Sequence, residues 1–318
     1  MNYPIEFSFP DIAPHAPGNT GTPSVFEFDS GVAGPTAMVC ALTHGNEMAG
    51  AVVLDALLKQ SFRPRRGKLV LSFNNIAAFT AFDLDDPDAA RYVDEDFNRV
   101  WEPAVLDGSR DSVELRRARE VRPFVAKADF LLDIHSMHEK CAPIMVCGPL
   151  EKGLALGREI GAPQNLMLDQ GHASGRRMRD YGGFGDAASP KNANLIECGQ
   201  HWEASAVVVA KDVTARFLCT VGISEPADLP AGWQREAVAV QKISRVTQAI
   251  APATEHFRFA QNFKGLEVLA RGEVIGWDGD GDAAQAVIAP YDNCVLIMPS
   301  LRHAGPGVTV VRLARLDQ

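Results

Sequence analysis

The feature that most constrains this chain is a rhythm running from residue 36 to 222. Short runs that are apolar at nearly every position alternate with segments of helical periodicity. TAMVCAL (36–42), GKLVLSFNN (67–75), DFLLDIHS (129–136), APIMVCG (142–148) and NLIECG (194–199) read as strands. A strand wetted on one side alternates apolar with polar residues, whereas one covered on both faces reads as a continuous apolar run. GAVVLDALLKQ (50–60), SVELRRAREVRPFVAKA (112–128), KGLALGREIG (152–161) and ASAVVVAKDVTARFLCTVG (204–222) repeat apolar residues at helical spacing and can supply that cover. The expected class is α/β, a central sheet packed by helices.

The character changes after residue 225. DLPAGWQ (228–234) reads as a linker, and the rest of the chain is short strands and turns with little helical signal. We therefore expect an α/β domain over 1–225 and a smaller all-β domain over 226–318. Residues 1–35 read as an entry strand with Pro/Gly-rich loops. WDGDGDAAQ (277–285) resembles the start of a calcium loop but lacks the closing glutamate, so a Gly/Asp hairpin turn is expected there.

The formal net charge of −9 excludes non-specific nucleic-acid binding as a role. No basic segment leads into an apolar one at the start, and no apolar run is long enough to span a bilayer, so no membrane partner is expected. Of the six cysteines none forms a C-x-x-C pair, which suits reduced thiols in a cytoplasmic protein. Homo-oligomerisation is left open.

Polar residues with chemical potential stand just past the strand ends, where open α/β sheets gather their ligands. ALTHGNEMAG (41–50) puts His44 and Glu47 three apart after the first buried run, and FLLDI is followed by His135. Two histidines and a carboxylate form a set able to hold zinc with a position open for water. Glu47 can equally answer the dipole of a helix that starts there. Gly45 is read as the residue that lets the chain turn sharply between the two ligands. Asp133 is given no role. RYVDEDFNRVW (91–101) carries Arg91, Asn98 and Arg99, a set suited to a substrate carboxylate, although Asp94, Glu95 and Asp96 offer the arginines local partners. Glu197 interrupts the apolar run NLIECGQ. Burial there would raise its pKa toward that of a general base, unless the strand is an edge strand turned to water.

H-G-N-E, R-Y-x-x-x-D-x-N-R, D-x-H-S and I-E-x-G, in that order, resemble the succinylglutamate desuccinylase/aspartoacylase family of zinc carboxypeptidase-like hydrolases. The resemblance covers residues from about 35 to 215 and implies a mixed central sheet flanked by helices, with a smaller C-terminal β domain. It implies one zinc ion per chain held by His44, Glu47 and His135. It also implies Arg91 as the group that stabilises the oxyanion, Asn98 and Arg99 as the carboxylate grip, and Glu197 as general base and later proton donor. The implied activity is deacylation of a small N-acylated amino acid or related amide. A peptide-cleaving carboxypeptidase and a catalytically silent binding protein on the same scaffold are the alternatives. One departure stands out. Aspartoacylase has a further arginine ten residues before its base, and here that position falls near Ala187. Arg176, Arg177, Arg179 and Lys191 are nearby but unaligned, and Tyr181, His138 and His201 are further pocket candidates.

Overall fold

The structure is a computed structural model and describes residues 3–302 and 304–317. Met1 and Asn2, the head of the expected entry segment, lie outside the described residues. In chain order the elements are β1 (Val25–Asp29), β2 (Thr36–Ala41), α1 (Ala49–Lys59), β3 (Lys68–Phe73), α2 (Ile76–Thr80), α3 (Pro103–Leu106), α4 (Val113–Lys127), β4 (Phe130–Met137), β5 (Ile144–Val146), α5 (Glu151–Ile160), β6 (Asn165–Leu168), β7 (Asn192–Gln200) and α6 (Ala204–Thr220). Then come β8 (Lys242–Ile250), β9 (Phe257–Phe259), β10 (Val268–Leu269), β11 (Val274–Asp278), β12 (Gln285–Ile288), β13 (Cys294–Ile297) and β14 (Val311–Leu316). The short strand β6 and the single-turn helices α2 and α3 have no counterpart in the sequence reading, being too brief for a periodic pattern.

The continuous apolar runs are explained by cover on both faces. Val39, Ala41, Leu132 and Ile134 point into one core with α1, α5 and α6. Their neighbours Met38, Cys40 and Leu131 point into another with Leu115, Ala118, Val121 and Val125 of α4. Ser112 caps α4 by accepting from the Leu115 amide at 3.0 Å. Gly50 lets α1 lie close on the sheet, since a Cβ there would sit 2.9 Å from Ala41 Cβ and 3.0 Å from Ile134 Cβ.

The main sheet has eleven strands in the order β1-β3-β2-β4-β7-β5-β6-β8-β14-β13-β10. It is mixed. Strands β3, β2, β4 and β7 run parallel, while β5 enters antiparallel beside β7. The C-terminal strands join the same sheet, with β8 pairing parallel to β6 and β14 and β13 continuing antiparallel. A separate sheet holds β12-β11-β9. Its β11–β12 hairpin encloses the Gly/Asp turn, as expected of WDGDGDAAQ. Ile144, Val146, Met167 and Leu195 pack against Val295, Ile297 and Ala314, joining the two halves of the chain in one apolar cluster. All six cysteines are free. Among the described residues no helix is long and apolar enough to cross a membrane.

Candidate metal centre and substrate cavity

The parallel strands β2, β4 and β7 end at a common edge, and the candidate residues stand there. Leu42, the first residue after β2, is fully buried with a left-handed φ of 56°. A non-glycine residue pays of order 1 kcal/mol for that conformation, and here core packing holds it. The kink turns the chain off the sheet into Thr43 and His44. The Glu47 amide then donates to the His44 carbonyl at 3.2 Å, closing a tight turn before α1 begins at Ala49.

His44, Glu47 and His135 come together. One ligand atom from each lies within 4.8 Å of the others, and all three residues are buried. His44 Nδ1 is 2.7 Å from Glu47 Oε1, and His135 Nδ1 is 2.8 Å from Glu47 Oε2. The opposite ring nitrogens are occupied elsewhere. His44 Nε2 meets Asp96 Oδ1 at 2.9 Å and His135 Nε2 meets Asp133 Oδ2 at 2.7 Å. Each imidazole is therefore fixed from behind by a carboxylate and presents Nδ1 forward, the arrangement that orients and enriches histidine ligands of a metal. Burial opposes ionisation of Glu47, but the two imidazoles outweigh it and hold its carboxyl well below the usual range. Buried carboxylates gathered about two imidazoles suit a dication, so the donor set fits zinc in type and number.

Asp133 is a correction to the sequence reading. Strand side chains repeat every two residues, so Asp133 shares a face with His135. Its other oxygen accepts from the Thr43 hydroxyl at 2.7 Å, which in turn accepts from Asn74 at 3.0 Å. Asp96 likewise does more than offer the arginines a local partner. It does pair with Arg91 at 3.2 Å and approaches Arg99 at 4.0 Å, but it also buttresses His44 and caps the turn at Phe97–Arg99 through the Asn98 amide.

Gly45 needs a different explanation from a sharp turn, since its φ is not left-handed. A Cβ would lie 2.4 Å from the backbone of Ala78 and Phe79 and 2.5 Å from the Ala90 carbonyl. The Gly45 amide also donates to the Arg91 carbonyl at 3.1 Å. Gly45 is thus where the His44 turn and the Arg91 turn touch. Gly45→Ala is expected to cost roughly 1–3 kcal/mol of stability by overpacking and to lower kcat/KM by about 100-fold through displaced Arg91. Denaturant melts and steady-state kinetics check this, and a variant with unchanged kinetics would refute the positional role.

Glu197 lies opposite His135 in the β4–β7 register. Strand β7 runs between β4 and β5, so the edge-strand alternative fails. The residue is only 9 % exposed, and its Oε2 has no hydrogen-bond partner among the described residues. Burial raises its pKa, with Glu47 and Asp133 adding and His135 and Arg91 opposing.

Arg91 and Arg99 face the same cavity, of about 280 Å³, as do Asn98, His138 and Arg177. Asn98 is anchored by accepting from the Met178 amide at 2.9 Å. Arg177 forks onto Asp169 at 2.9 and 2.8 Å. The other candidates lie elsewhere. Arg176 pairs with Glu102, Arg179 bonds the Ala193 carbonyl, Lys191 bonds the Ala126 and Ala128 carbonyls, and the Tyr181 hydroxyl accepts from Arg122. His201 is buried behind the site against Ser136 and His138. The far wall comes from the C-terminal half, through Lys264, Met298, Ser300, Arg302 and Arg312. Arg302 pairs with Asp88, tying this wall to the segment that carries Arg91.

Fold and site together define an α/β protein with a buried cluster of two histidines and a glutamate at its strand ends. Residues 33–203 match the family model of the succinylglutamate desuccinylase/aspartoacylase catalytic domain, and the chain belongs to that family of deacylating hydrolases. Its fold is similar to the succinylglutamate desuccinylase of Vibrio cholerae (16% identity, 91% of this chain and 84% of that chain, TM-score 0.68). It is also similar to a succinylglutamate desuccinylase/aspartoacylase of Rhodobacter sphaeroides (18%, 90% and 86%, 0.63). A third similar structure is the product-bound ectoine utilization protein EutE of Ruegeria pomeroyi (17%, 89% and 86%, 0.61). Among curated proteins none matches significantly.

Proposed function

We propose that this chain is a zinc-dependent deacylase that hydrolyses the amide bond of a small N-acylated amino acid or related compound. The observation that carries this reading is the convergence of His44, Glu47 and His135 within 4.8 Å, facing an unpartnered carboxylate oxygen on Glu197. His44, Glu47 and His135 would hold the zinc ion, which when bound would supply Lewis acidity and a water acidified to a pKa of about 7. Asp96 and Asp133 keep the two imidazoles aimed. Glu197, desolvated and free at Oε2, accepts a proton there and returns it to the departing nitrogen. Arg91 places its guanidinium where negative charge develops on the amide oxygen, a contribution of roughly 3–4 kcal/mol for one preorganised donor. Asn98 and Arg99 hold the carboxylate of the amino acid, which fixes the scissile bond near the metal.

The 1–225 and 226–318 division enters this proposal as a division of labour, with chemistry from the first part and the cavity's far wall from the second. Freshly purified protein is expected to carry about one zinc per chain by elemental analysis. It should also release free amine from at least one member of a panel of N-acetyl and N-succinyl amino acids. Prolonged chelation should abolish the release and added zinc restore it. Protein that neither holds nor takes up zinc, or that turns over C-terminal peptides alone, would defeat the reading.

A further inference from the structure

Among the described residues, one strand-borne arginine of the cavity meets no acid. Arg91 is engaged by Asp96 and Glu47, Arg177 by Asp169 and Asp180, and Arg302 by Asp88. Arg99 keeps a loose contact with Asp96 at 4.0 Å. Arg312, which lines the same cavity, has neither a hydrogen bond nor an ion pair from its guanidinium among the described residues. It sits on β14 with its backbone paired to Ile297 and Ala249, so its side chain is launched from a strand rather than a loose loop. Asp169, the neighbouring acid, takes the Arg177 fork on both oxygens and makes no hydrogen bond or ion pair with Arg312 among the described residues, so its charge acts on Arg312 only through space. His172, another cavity residue, adds no charge, since burial together with Arg99 and Arg312 pushes it down to about 4. A partly buried guanidinium left unpaired is costly unless an anion arrives to meet it.

We propose that Arg312 is a specificity residue that binds a second carboxylate of the substrate, separate from the one held by Asn98 and Arg99. The inference rests on the deacylase reading and narrows it to N-acyl compounds bearing two carboxylates. The second carboxylate belongs either to the acyl half or to the amine half, and a planar guanidinium recognises both in the same forked way. Substrates with a single carboxylate leave Arg312 partly buried and unsatisfied, so the site disfavours them by more than the lost contact alone.

Two matched pairs of substrates test this. N-acetylglutamate against N-acetylglutamine varies charge on the amine half, and N-succinylalanine against N-butyrylalanine varies it on the acyl half. The wild type is expected to favour the charged member of one pair by about 30-fold in kcat/KM. Arg312→Gln should shrink that preference to about threefold or less without slowing the single-carboxylate member, and Arg312→Lys should recover part of it. A wild type without preference, or a variant that slows the two-carboxylate and one-carboxylate members alike, overturns the assignment. Calorimetry with glutarate and butyrate gives a readout independent of turnover. Glutarate binding should weaken at least about tenfold in Arg312→Gln with butyrate unaffected, and equal binding in both proteins refutes the proposal. If no amide is hydrolysed at all, the deacylase reading falls, while the calorimetry still decides the role of Arg312.

Discussion

Glu197→Gln is expected to remove turnover and keep the metal. The substitution preserves shape in a strand packed between β4 and β5, and it deletes the oxygen that can take a proton. Loss of a positioned general base typically costs about 10²- to 10⁴-fold, and the low end would indicate that the water is activated mainly by its other neighbours. Zinc content should be unchanged, because Glu197 is not among the three residues whose ligand atoms converge. Amine release and elemental analysis on the same preparation decide the matter. Parallel loss of zinc and activity would make Glu197 a structural or ligating group instead. The variant should also still bind substrate, so a KM near the wild-type value is part of the expectation.

The second large effect is expected outside the cavity lining, at Glu114. This residue, on the first turn of α4, has no exposure at all. Its Oε1 accepts from the Val93 amide at 2.7 Å and from Asn75 at 3.0 Å. Its Oε2 accepts from the Asp94 and Glu95 amides at 3.1 and 3.2 Å. One carboxylate thus ties down the segment between Arg91 and Asp96, and with it Asn98 and Arg99. Glu114→Gln replaces one acceptor oxygen by an NH₂ that faces two donors. The cost is about 2–4 kcal/mol in buried surroundings. Because the loop shifts as a unit, kcat/KM should fall by about 100-fold, and zinc affinity by about tenfold through the loosened Asp96. Chemical denaturation, kinetics and competitive zinc titration measure the three effects. A variant that is merely less stable, with kinetics and zinc affinity intact, would show that the loop does not depend on this anchor.

Much of the candidate site is legible in the chain because its residues stand at strand ends. The run TAMVCAL predicts where β2 stops, and His44 and Glu47 come at once; DFLLDIHS does the same for His135. Asp133, given no role by the sequence reading, shares the face of His135 through the two-residue repeat of a strand, and only the partner it braces gives it meaning. Glu114 carries no such signal. In sequence it is one more acid on an amphipathic helix, and its burial is known only once the 91–99 loop lies across it.

The local pattern of apolar residues, acting through burial of both faces of a sheet, settles the α/β class and the order of the longer strands and helices up to residue 222. Short-range spacing likewise settles which polar residues sit together on one turn. Three things depend on distant segments and so escape any local pattern. Gly45 is required by the backbone of Ala78 and Ala90, not by its own turn. Strands β8, β14 and β13 extend the main sheet, a pairing specified by long-range hydrogen bonds with no mark in the residues between. Arg312, one cation among the Lys and Arg of an acidic chain, becomes distinctive because folding carries it to the cavity and provides no acid to meet it among the described residues. Charge in a sequence is a sum, whereas charge in a site is what remains after every neighbour has paired.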